Sequence, residues 1–313
     1  MIESSPQHLS VLLDAVLQYG FPDDGRVFAD LTFGLGGHTR AILQRFPTIR
    51  KVIAIDRDAE ILEHSCKTCD DLRIYRFQAN ASDLKAILPL AKESFVDGIL
   101  VDLGVSSYQL DNPERGFSFS RPGPLDMRMN TDQSFTADEL VNTYEKQNLV
   151  RIFRDFGEEK FSGRIADAII REREKEPIKT TDRLAAIISA AIPARSKANS
   201  AIHPATRVFQ AIRIEVNREL EELEKFLDSA ISCLNPGGHL CIISFHSLED
   251  RLVKNFMQKH HKGCICPPNF PVCNCGIKPD LELLTRKAIF AEEKEIAVNP
   301  RSRSARLRAA RKI

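Results

Sequence analysis

The stretch Val27–Thr39, VFADLTFGLGGHT, decides the fold of this chain. Val27, Phe28 and Leu31 are typical of a buried strand, glycines follow at 34, 36 and 37, and a helical pattern begins at Thr39. A strand, a glycine turn and a helix in this order predict the start of a βαβ unit that binds a nucleotide-type ligand. An ordinary glycine-rich turn is the alternative.

S-adenosylmethionine (AdoMet) suits this turn better than a dinucleotide. Thr39 stands where a dinucleotide fingerprint would have its third glycine, and Asp30 comes just before the glycines. The methionine end of AdoMet carries an ammonium group, which binds carboxylates or carbonyls, and AdoMet has no pyrophosphate. We therefore expect Gly36 and Gly37 to let the backbone pass close to AdoMet and to offer amide donors.

Length, charge and composition limit the classes of protein to which this chain can belong. The chain has 313 residues, enough for one large α/β domain with an insertion, and its net charge of +1 names no partner. No apolar run reaches the roughly 20 residues that span a bilayer, and the N-terminus lacks a signal-peptide pattern. We expect a cytoplasmic protein without a membrane partner, in which the eight cysteines are metal ligands or core residues rather than disulfides.

Acidic residues lie at the carboxyl ends of two predicted parallel strands. Asp56 ends the strand in Lys51–Asp58, about 20 residues past the glycine turn, where a carboxylate usually binds ribose hydroxyls. Asp102 lies at the carboxyl end of the strand in Val96–Val105, the edge at which parallel sheets bind ligands. Either acid could instead cap local amides only.

The elements predict an α/β protein with a Rossmann-like, mostly parallel sheet. We expect a discontinuous core from residues 1–110 and 204–313, and an inserted helical substrate-recognition domain from residues 111–203. Pro204–Leu234 is predicted as one long amphipathic helix, Asn235–Gly238 as a turn and His239–Phe245 as the next strand.

Two residues are candidates for chemistry on an amine. An exocyclic amine of a base is a poor nucleophile, so its methylation needs a group that accepts a hydrogen bond from the N–H. Asp102 is placed for that role or for the AdoMet ammonium. His246 follows the last parallel strand at the same edge, although a lone histidine is usually structural. Ser247 and Asp250 are explained without function as a capping box.

Basic and polar residues suggest RNA binding. The predicted long helix carries a polar stripe without carboxylates, formed by Thr206, Gln210, Arg213 and Asn217. The tail from Asn299 is basic and lacks acids, which is typical of phosphate binding, although a solvated terminus would look the same. The residues that we assign to RNA contact are Arg207, Arg213, Arg301, Arg303 and Arg306.

Four cysteines share one Pro-rich loop and could enclose a structural zinc ion: Cys264, Cys266, Cys273 and Cys275. Paired C-x-C is less typical of zinc than C-x-x-C, so plain loop cysteines remain the alternative. Cys66 and Cys69 form a C-x-x-C on a predicted helix without a second ligand pair, and we interpret them as structural.

The motifs together resemble the bacterial small-subunit (16S) ribosomal RNA cytosine-N4 methyltransferase family of MraW type. The matching stretches run in order from residue 8 to 308 and include HLSVLLDAVL, TFGLGGHTRAIL, AIDRD, DGILVDLGVSSYQLDNPERGFSFSRPGPLDMRMN, GEEKFSGRIADAI, HPATRVFQAIRIEVNRELEELE, ISFHSLEDRLVK and NPRSRSARLR. The resemblance implies a class I AdoMet-dependent methyltransferase fold with a helical insertion. It also implies methyl transfer to the N4 amine of a cytidine in the decoding region.

Carried over position by position, the resemblance implies a set of cofactor contacts. These are Gly36, Gly37, His38, Asp56, Ala81, Asp102 and Gln109. Ala81 stands where the family often has Phe, so the adenine wall is expected to be thinner, and Ala15 replaces a common acid.

Two other function classes stay open on the sequence. A methyltransferase acting on DNA or a small molecule is one, although the basic tail argues against a small molecule. A non-catalytic RNA-binding factor is the other, although intact Asp56 and Asp102 argue against it. The sequence also leaves open whether the substrate is naked RNA or an assembled small subunit, and whether the protein is a homodimer.

Overall fold

The computed structural model describes residues 10–194, 203–264, 266 and 275–313. The chain divides into two compact units, Met1–Gly104 with Leu220–Ile313, and Val105–Glu219. The first unit holds the sheet and the second is helical.

Among the described residues, eight strands of the first unit form one sheet. They are β1 (Val27–Asp30), β2 (Lys51–Asp56), β3 (Ile74–Gln78), β4 (Val96–Asp102), β5 (Leu234–Ser244), β6 (Leu281–Leu283), β7 (Ile289–Phe290) and β8 (Arg306–Lys312). The order is β3-β2-β1-β4-β5-β8-β6, and β7 pairs with β8. Strands β1 to β5 are parallel, whereas β8 runs antiparallel to β5. This confirms the predicted class I methyltransferase fold.

Helices cover both faces of the sheet because its strands are apolar on both sides. In β1, Phe28 packs into one hydrophobic cluster, while Val27 and Ala29 pack into the cluster on the other side. The helices of this part of the chain are Leu13–Tyr19, Gly37–Arg45, Ala59–Thr68, Leu84–Leu90, Glu219–Cys233, Ser247–Lys262 and Glu293–Val298, with short 3-10 helices at Ala81–Asp83 and Pro300–Ser304.

The second unit has its own hydrophobic core, built by helices. Their bounds are Ser107–Asp111, Ala137–Thr143, Lys146–Asp155, Ser162–Arg173, Thr181–Ala191 and Thr206–Asn217, with a 3-10 helix at Pro113–Arg115. This unit extends past the predicted insertion of residues 111–203 at both ends. Thr206–Asn217 belongs to it because Val208 and Ile212 are buried in the helical core.

The predicted single helix from 204 to 234 is wrong. Arg218 has a left-handed backbone, with φ of 49°, which an α-helix of L-residues cannot continue. The first helix therefore ends at Asn217, and a separate helix spans Glu219–Cys233.

The predicted turn at Asn235–Gly238 lies within β5 as an irregularity. Pairing with β4 shifts from Val96 opposite Leu234 to Gly98 opposite His239, so the extra residues bulge from the ladder. The Asn235 amide donates to the Asp97 carboxylate at 2.7 Å and fixes the bulge. In the described ranges, no helix is long and apolar enough to span a membrane.

Candidate active site

The carboxyl ends of neighbouring parallel strands bring the predicted acidic residues to one edge of the sheet. β1 lies between β2 and β4, and these three strands end at Asp30, Asp56 and Asp102. The chain leaves β1 for β2 on one side and reaches β4 on the other, so β1 marks the switch point at which open α/β sheets bind ligands.

The glycine turn needs its glycines to pack against the chain itself. Gly36 has φ of 77°, and a Cβ there would lie 2.7 Å from the Cys69 Cβ. A Cβ on Gly37 would lie 2.3 Å from the Ser10 hydroxyl oxygen. In the sequence these glycines are explained by the approach of a ligand; the structure adds a packing reason that the sequence does not show.

Asp56 ties the end of β2 to the glycine turn. Its carboxylate accepts hydrogen bonds from the Gly34 amide at 2.8 Å and from the Asp58 amide at 3.0 Å. Burial raises the pKa of Asp56, against the lowering effect of the Asp58 and Gly34 amides. Because a carboxylate has about four lone-pair sites, acceptor capacity remains for ribose hydroxyls.

Asp30 is the buried acid of the glycine turn, 2% exposed. The Thr39 hydroxyl donates to its carboxylate at 2.7 Å. Burial raises the pKa of Asp30 to about 6, against the lowering effect of the Thr39 hydrogen bond. Thr39 thus has a partner at the position where a dinucleotide fingerprint would have glycine, and nothing in the sequence indicates that pairing.

Asp102 has one carboxylate oxygen, Oδ1, that is fully covered and has no hydrogen-bond partner among the described atoms. Its backbone N–H donates to the Thr32 hydroxyl at 2.6 Å, which attaches the end of β4 to the glycine turn. Burial raises the pKa of Asp102 well above its ordinary range, and the nearby negative charges of Asp30 and Glu249 raise it further.

His38 lies at the start of the helix Gly37–Arg45 and is buried. Its Nε2 donates to the Val11 carbonyl at 2.8 Å, so in the neutral ring Nδ1 is an acceptor. Nδ1 lies 3.9 Å from Asp102 Oδ2. The structure therefore brings together two of the predicted cofactor contacts, His38 and Asp102.

His246 caps the helix Ser247–Lys262, together with Glu249. The His246 Nδ1 accepts from the Glu249 amide at 3.4 Å, and the Glu249 carboxylate accepts from the Phe245 amide at 2.8 Å. The His246 Nε2 lies 3.1 Å from Glu249 Oε1. The predicted capping box of Ser247 and Asp250 is wrong. The N-cap residue is His246 and its capping-box partner is Glu249, whereas Asp250 pairs with Arg308.

Ala81 begins the 3-10 helix that follows β3. Asn80 and Asp83 hold this turn by reciprocal hydrogen bonds between side chain and backbone. The Ser82 hydroxyl donates to the Glu222 carboxylate at 2.6 Å, which anchors the turn to the helix Glu219–Cys233. The turn predicted to lie beside adenine is therefore held at both ends.

Gln109 belongs to the helical unit, where it is buried. Its side-chain oxygen accepts from the Ser106 backbone N–H at 3.0 Å, and the Gln109 backbone N–H donates to the Ser106 hydroxyl at 3.2 Å. Gln109 therefore completes the N-terminal cap of the helix Ser107–Asp111.

Two residues of the polar stripe on Thr206–Asn217 bond to the backbone of the helical unit. Gln210 donates to the Phe156 carbonyl at 3.0 Å, and Asn217 is buried against the backbone of Met127 and Met129, at 2.8 and 2.7 Å. The irregular backbone of the helical unit needs these partners, because buried amides and carbonyls must be paired. The prediction that this stripe faces RNA is wrong for these two residues.

The two arginines of this helix that we assigned to RNA contact differ in their exposure to solvent. The Arg213 guanidinium forms two 2.8 Å hydrogen bonds to the Glu219 carboxylate, and both side chains are mostly buried. Arg207 is exposed. Arg207 therefore stays a predicted RNA contact, whereas Arg213 is engaged within the helical unit.

The last part of the basic tail, Arg306–Lys312, is a strand of the sheet rather than a solvated arm. β8 lies between β5 and β6. On β8, Arg308 pairs with Asp250 at 2.7 Å and Arg306 lies 3.6 Å from the same carboxylate. Arg301 and Arg303 precede β8 and are exposed. Only these two of the three predicted tail contacts thus lie outside the sheet.

Three of the four predicted zinc ligands lie close together. The sulfur atoms of Cys264, Cys266 and Cys275 are all within 4.8 Å of one another. Cys273 lies outside the described residues. Cys69 follows the helix Ala59–Thr68 as its C-cap and is buried against Gly36, whereas Cys66 lies within that helix and is exposed.

Comparison with known proteins supplies the relatives of this chain. A sequence model described as the MraW methylase family matches residues 5–313. A protein of Syntrophotalea carbinolica named ribosomal RNA small subunit methyltransferase H is 47% identical over 309 residues, 98% of each chain. One of the same name from Carboxydothermus hydrogenoformans is 46% identical over 308 residues, again 98% of each chain.

Among solved structures, an rRNA methylase from Streptococcus thermophilus matches this chain. It is 12% identical, the match covers 100% of this chain and 99% of that one, and the TM-score is 0.39. A TM-score of this size supports no argument about activity.

Proposed function

This chain belongs to the MraW methylase family, and from that premise we propose that it methylates small-subunit (16S) ribosomal RNA with AdoMet as the methyl donor. The names of relatives that match 98% of the chain support this substrate. We further propose that the acceptor is the exocyclic N4 amine of a cytidine in the decoding region. That finer assignment is supported by the family resemblance of stretches such as DLGVSS at 102–107.

The observation that carries the proposal is the covered Oδ1 of Asp102. A buried carboxylate oxygen without a partner is costly unless a cation or an N–H donor meets it. The Asp102 side chain is 23% exposed, so a ligand can approach this carboxylate, and the AdoMet ammonium and the amine of the base are both such groups. We favour the ammonium, because the Asp102 backbone is bonded to Thr32 in the glycine turn, where we propose that AdoMet binds.

The other proposed cofactor contacts lie at the carboxyl ends of the neighbouring strands. Asp56 would accept hydrogen bonds from the ribose hydroxyls, and the turn at Ala81 would lie against adenine. The negative charges of Asp30 and Asp102 suit the positive methionine end. When bound, AdoMet supplies an electrophilic methyl group.

The protein's part in the chemistry is to accept a hydrogen bond from the amine so that its lone pair becomes available. Asp102 and His246 are the candidates. His246 also caps a helix, so its structural role has to be separated from any catalytic one.

RNA contact is proposed for the exposed arginines. These are Arg207, Arg301 and Arg303. We propose that the helical unit recognises the substrate, with Arg207 as its phosphate contact, and that the protein acts in the cytoplasm, where small subunits are made.

The test is methyl transfer from radiolabelled AdoMet to four substrates: small ribosomal subunits, naked 16S rRNA, DNA and free cytidine. We expect label only in ribosomal substrates, and N4-methylcytidine after digestion to nucleosides. Label in DNA or cytidine would support the rival enzyme class. Absence of label from every substrate, in a protein that folds and binds AdoMet, would support a non-catalytic RNA-binding factor.

A further inference from the structure

Two chain segments meet at the end of the helix Ser247–Lys262. Gly263 has φ of 67°, and a Cβ there would lie 2.5 Å from the Lys278 and Pro279 backbone. The Asp280 amide donates to the His260 carbonyl at 3.1 Å, and the His260 ring lies 2.9 Å from the Asp280 carboxylate. The residues just before Cys264 and just after Cys275 are therefore held side by side.

This arrangement brings thiol groups together at a distance that fits a metal site and not a disulfide. The Cys275 Sγ lies 3.7 Å from the Cys264 Sγ. A disulfide would require about 2.05 Å. Sulfur atoms at about 2.3 Å from a tetrahedral zinc ion lie about 3.8 Å apart, so the observed separation agrees with the edge of a zinc tetrahedron.

We propose that Cys264, Cys266 and Cys275 bind one zinc ion in this protein. All three sulfur atoms lie within 4.8 Å of one another, as ligands of one ion must. Thiolate sulfur is the ligand type that selects zinc over magnesium or calcium. None of these cysteines lies at the carboxyl ends of β1, β2 and β4, which form the candidate active site. The zinc ion is therefore structural and independent of methyl transfer.

The role of the ion follows from where its ligands lie. Cys264 comes two residues after the helix Ser247–Lys262, and Cys275 comes before β6, which pairs with β8. The ion would hold the end of this helix beside the segment that leads into β6. Because a preformed set of thiolates exists only in the folded protein, zinc binding stabilises that fold.

The test is metal analysis of the full-length protein, purified under reducing conditions without chelator. We expect about one equivalent of zinc per chain, released in step with thiol modification. Replacement by Co²⁺ should give the ligand-field absorption of a tetrahedral site with thiolate ligands. Cys264→Ser and Cys275→Ser should each reduce bound zinc at least about tenfold.

The matched control is Cys66→Ser, which changes an exposed cysteine outside the cluster and should keep its zinc. If the cluster variants fail to fold, the wild-type measurements still decide. Less than about a tenth of an equivalent of zinc, with reactive thiols at all three positions, would overturn the proposal. So would a disulfide between any two of these cysteines, found by mass spectrometry of the native protein.

Discussion

The Thr39 hydroxyl donates a 2.7 Å hydrogen bond to the Asp30 carboxylate, which is buried at the end of β1. Burial nevertheless raises the pKa of Asp30 from 3.8 to about 6. The charged form of Asp30 therefore costs the protein stability, and such a cost is expected where a carboxylate is kept for a cationic ligand.

Asp30→Asn should make stability less dependent on pH. The folded protein holds the Asp30 proton more tightly than the unfolded chain, so the free energy of unfolding should fall as the pH rises from about 4 to about 7. The variant should lack this decrease and be more stable than wild type at neutral pH, by up to about 3 kcal/mol. Urea unfolding across that pH range measures both effects.

The control for this experiment is Asp71→Asn. Arg73 lowers the pKa of Asp71 to about 2, so its contribution is lost only as the pH falls below about 4. A stability difference between wild type and Asp30→Asn that stays constant over the whole range would contradict the assignment.

Asp102→Asn separates cofactor binding from catalysis. Asn keeps the shape and one acceptor oxygen but loses the charge, so the AdoMet dissociation constant should rise by roughly 10- to 100-fold. If Asp102 binds the ammonium, single-turnover methylation at saturating AdoMet should be near normal. A rate that falls by about 10²-fold at saturation would instead assign Asp102 to the amine of the base.

The pH dependence of cofactor affinity tests the same carboxylate. Because the pKa of Asp102 is raised, acidification should protonate it before an ordinary Asp and weaken AdoMet binding. Calorimetry should show a smaller loss of affinity at low pH in Asp102→Asn than in wild type. The negative charges of Asp30 and Glu249 lie near Asp102, and His38 Nδ1 lies 3.9 Å from its Oδ2, so the comparison with the variant is essential. Equal losses in both proteins would exclude Asp102 as the source.

His246→Asn tests the catalytic role of His246. Asn is a good N-cap residue, so the helix Ser247–Lys262 should lose less than about 1 kcal/mol of stability. We expect the single-turnover rate to fall at least about tenfold if His246 accepts a hydrogen bond from the amine. A stable variant with a wild-type rate would leave His246 with the capping role alone.

The double change Arg301→Gln with Arg303→Gln tests RNA contact at the tail. Each lost phosphate contact should reduce the salt slope of log affinity by about 0.7 to 0.9. AdoMet affinity should be unchanged. Arg311→Gln is the control, because Arg311 is already paired with Glu282. A salt slope equal to that of wild type would remove both residues from the RNA surface.

Removing the tail would not test RNA binding. Deletion of Arg301–Ile313 takes away β8, the strand between β5 and β6, and with it the buried side chain of Leu307. We expect such a truncation to unfold the sheet, since β5 loses its antiparallel partner along Arg306–Arg311. A folded truncated protein with wild-type stability would contradict the observed register.

The sequence alone determined the elements whose signals are local. The glycine turn, the strand-end acids Asp56 and Asp102 and the parallel sheet could be predicted, because apolar runs, glycines and acids follow one another within each βα unit. The same motifs gave the family.

Only the tertiary structure decided the contacts between residues distant in the chain. Asn217 looks like a polar surface residue in sequence but pairs with the backbone near Met129, and the end of the tail looks like a solvated basic arm but forms β8. Neither could be predicted, because a polar side chain gives no sign of which backbone group it will bond. The convergence of Cys264 and Cys275 to 3.7 Å likewise depends on how the chain turns at Gly263, where only a glycine fits.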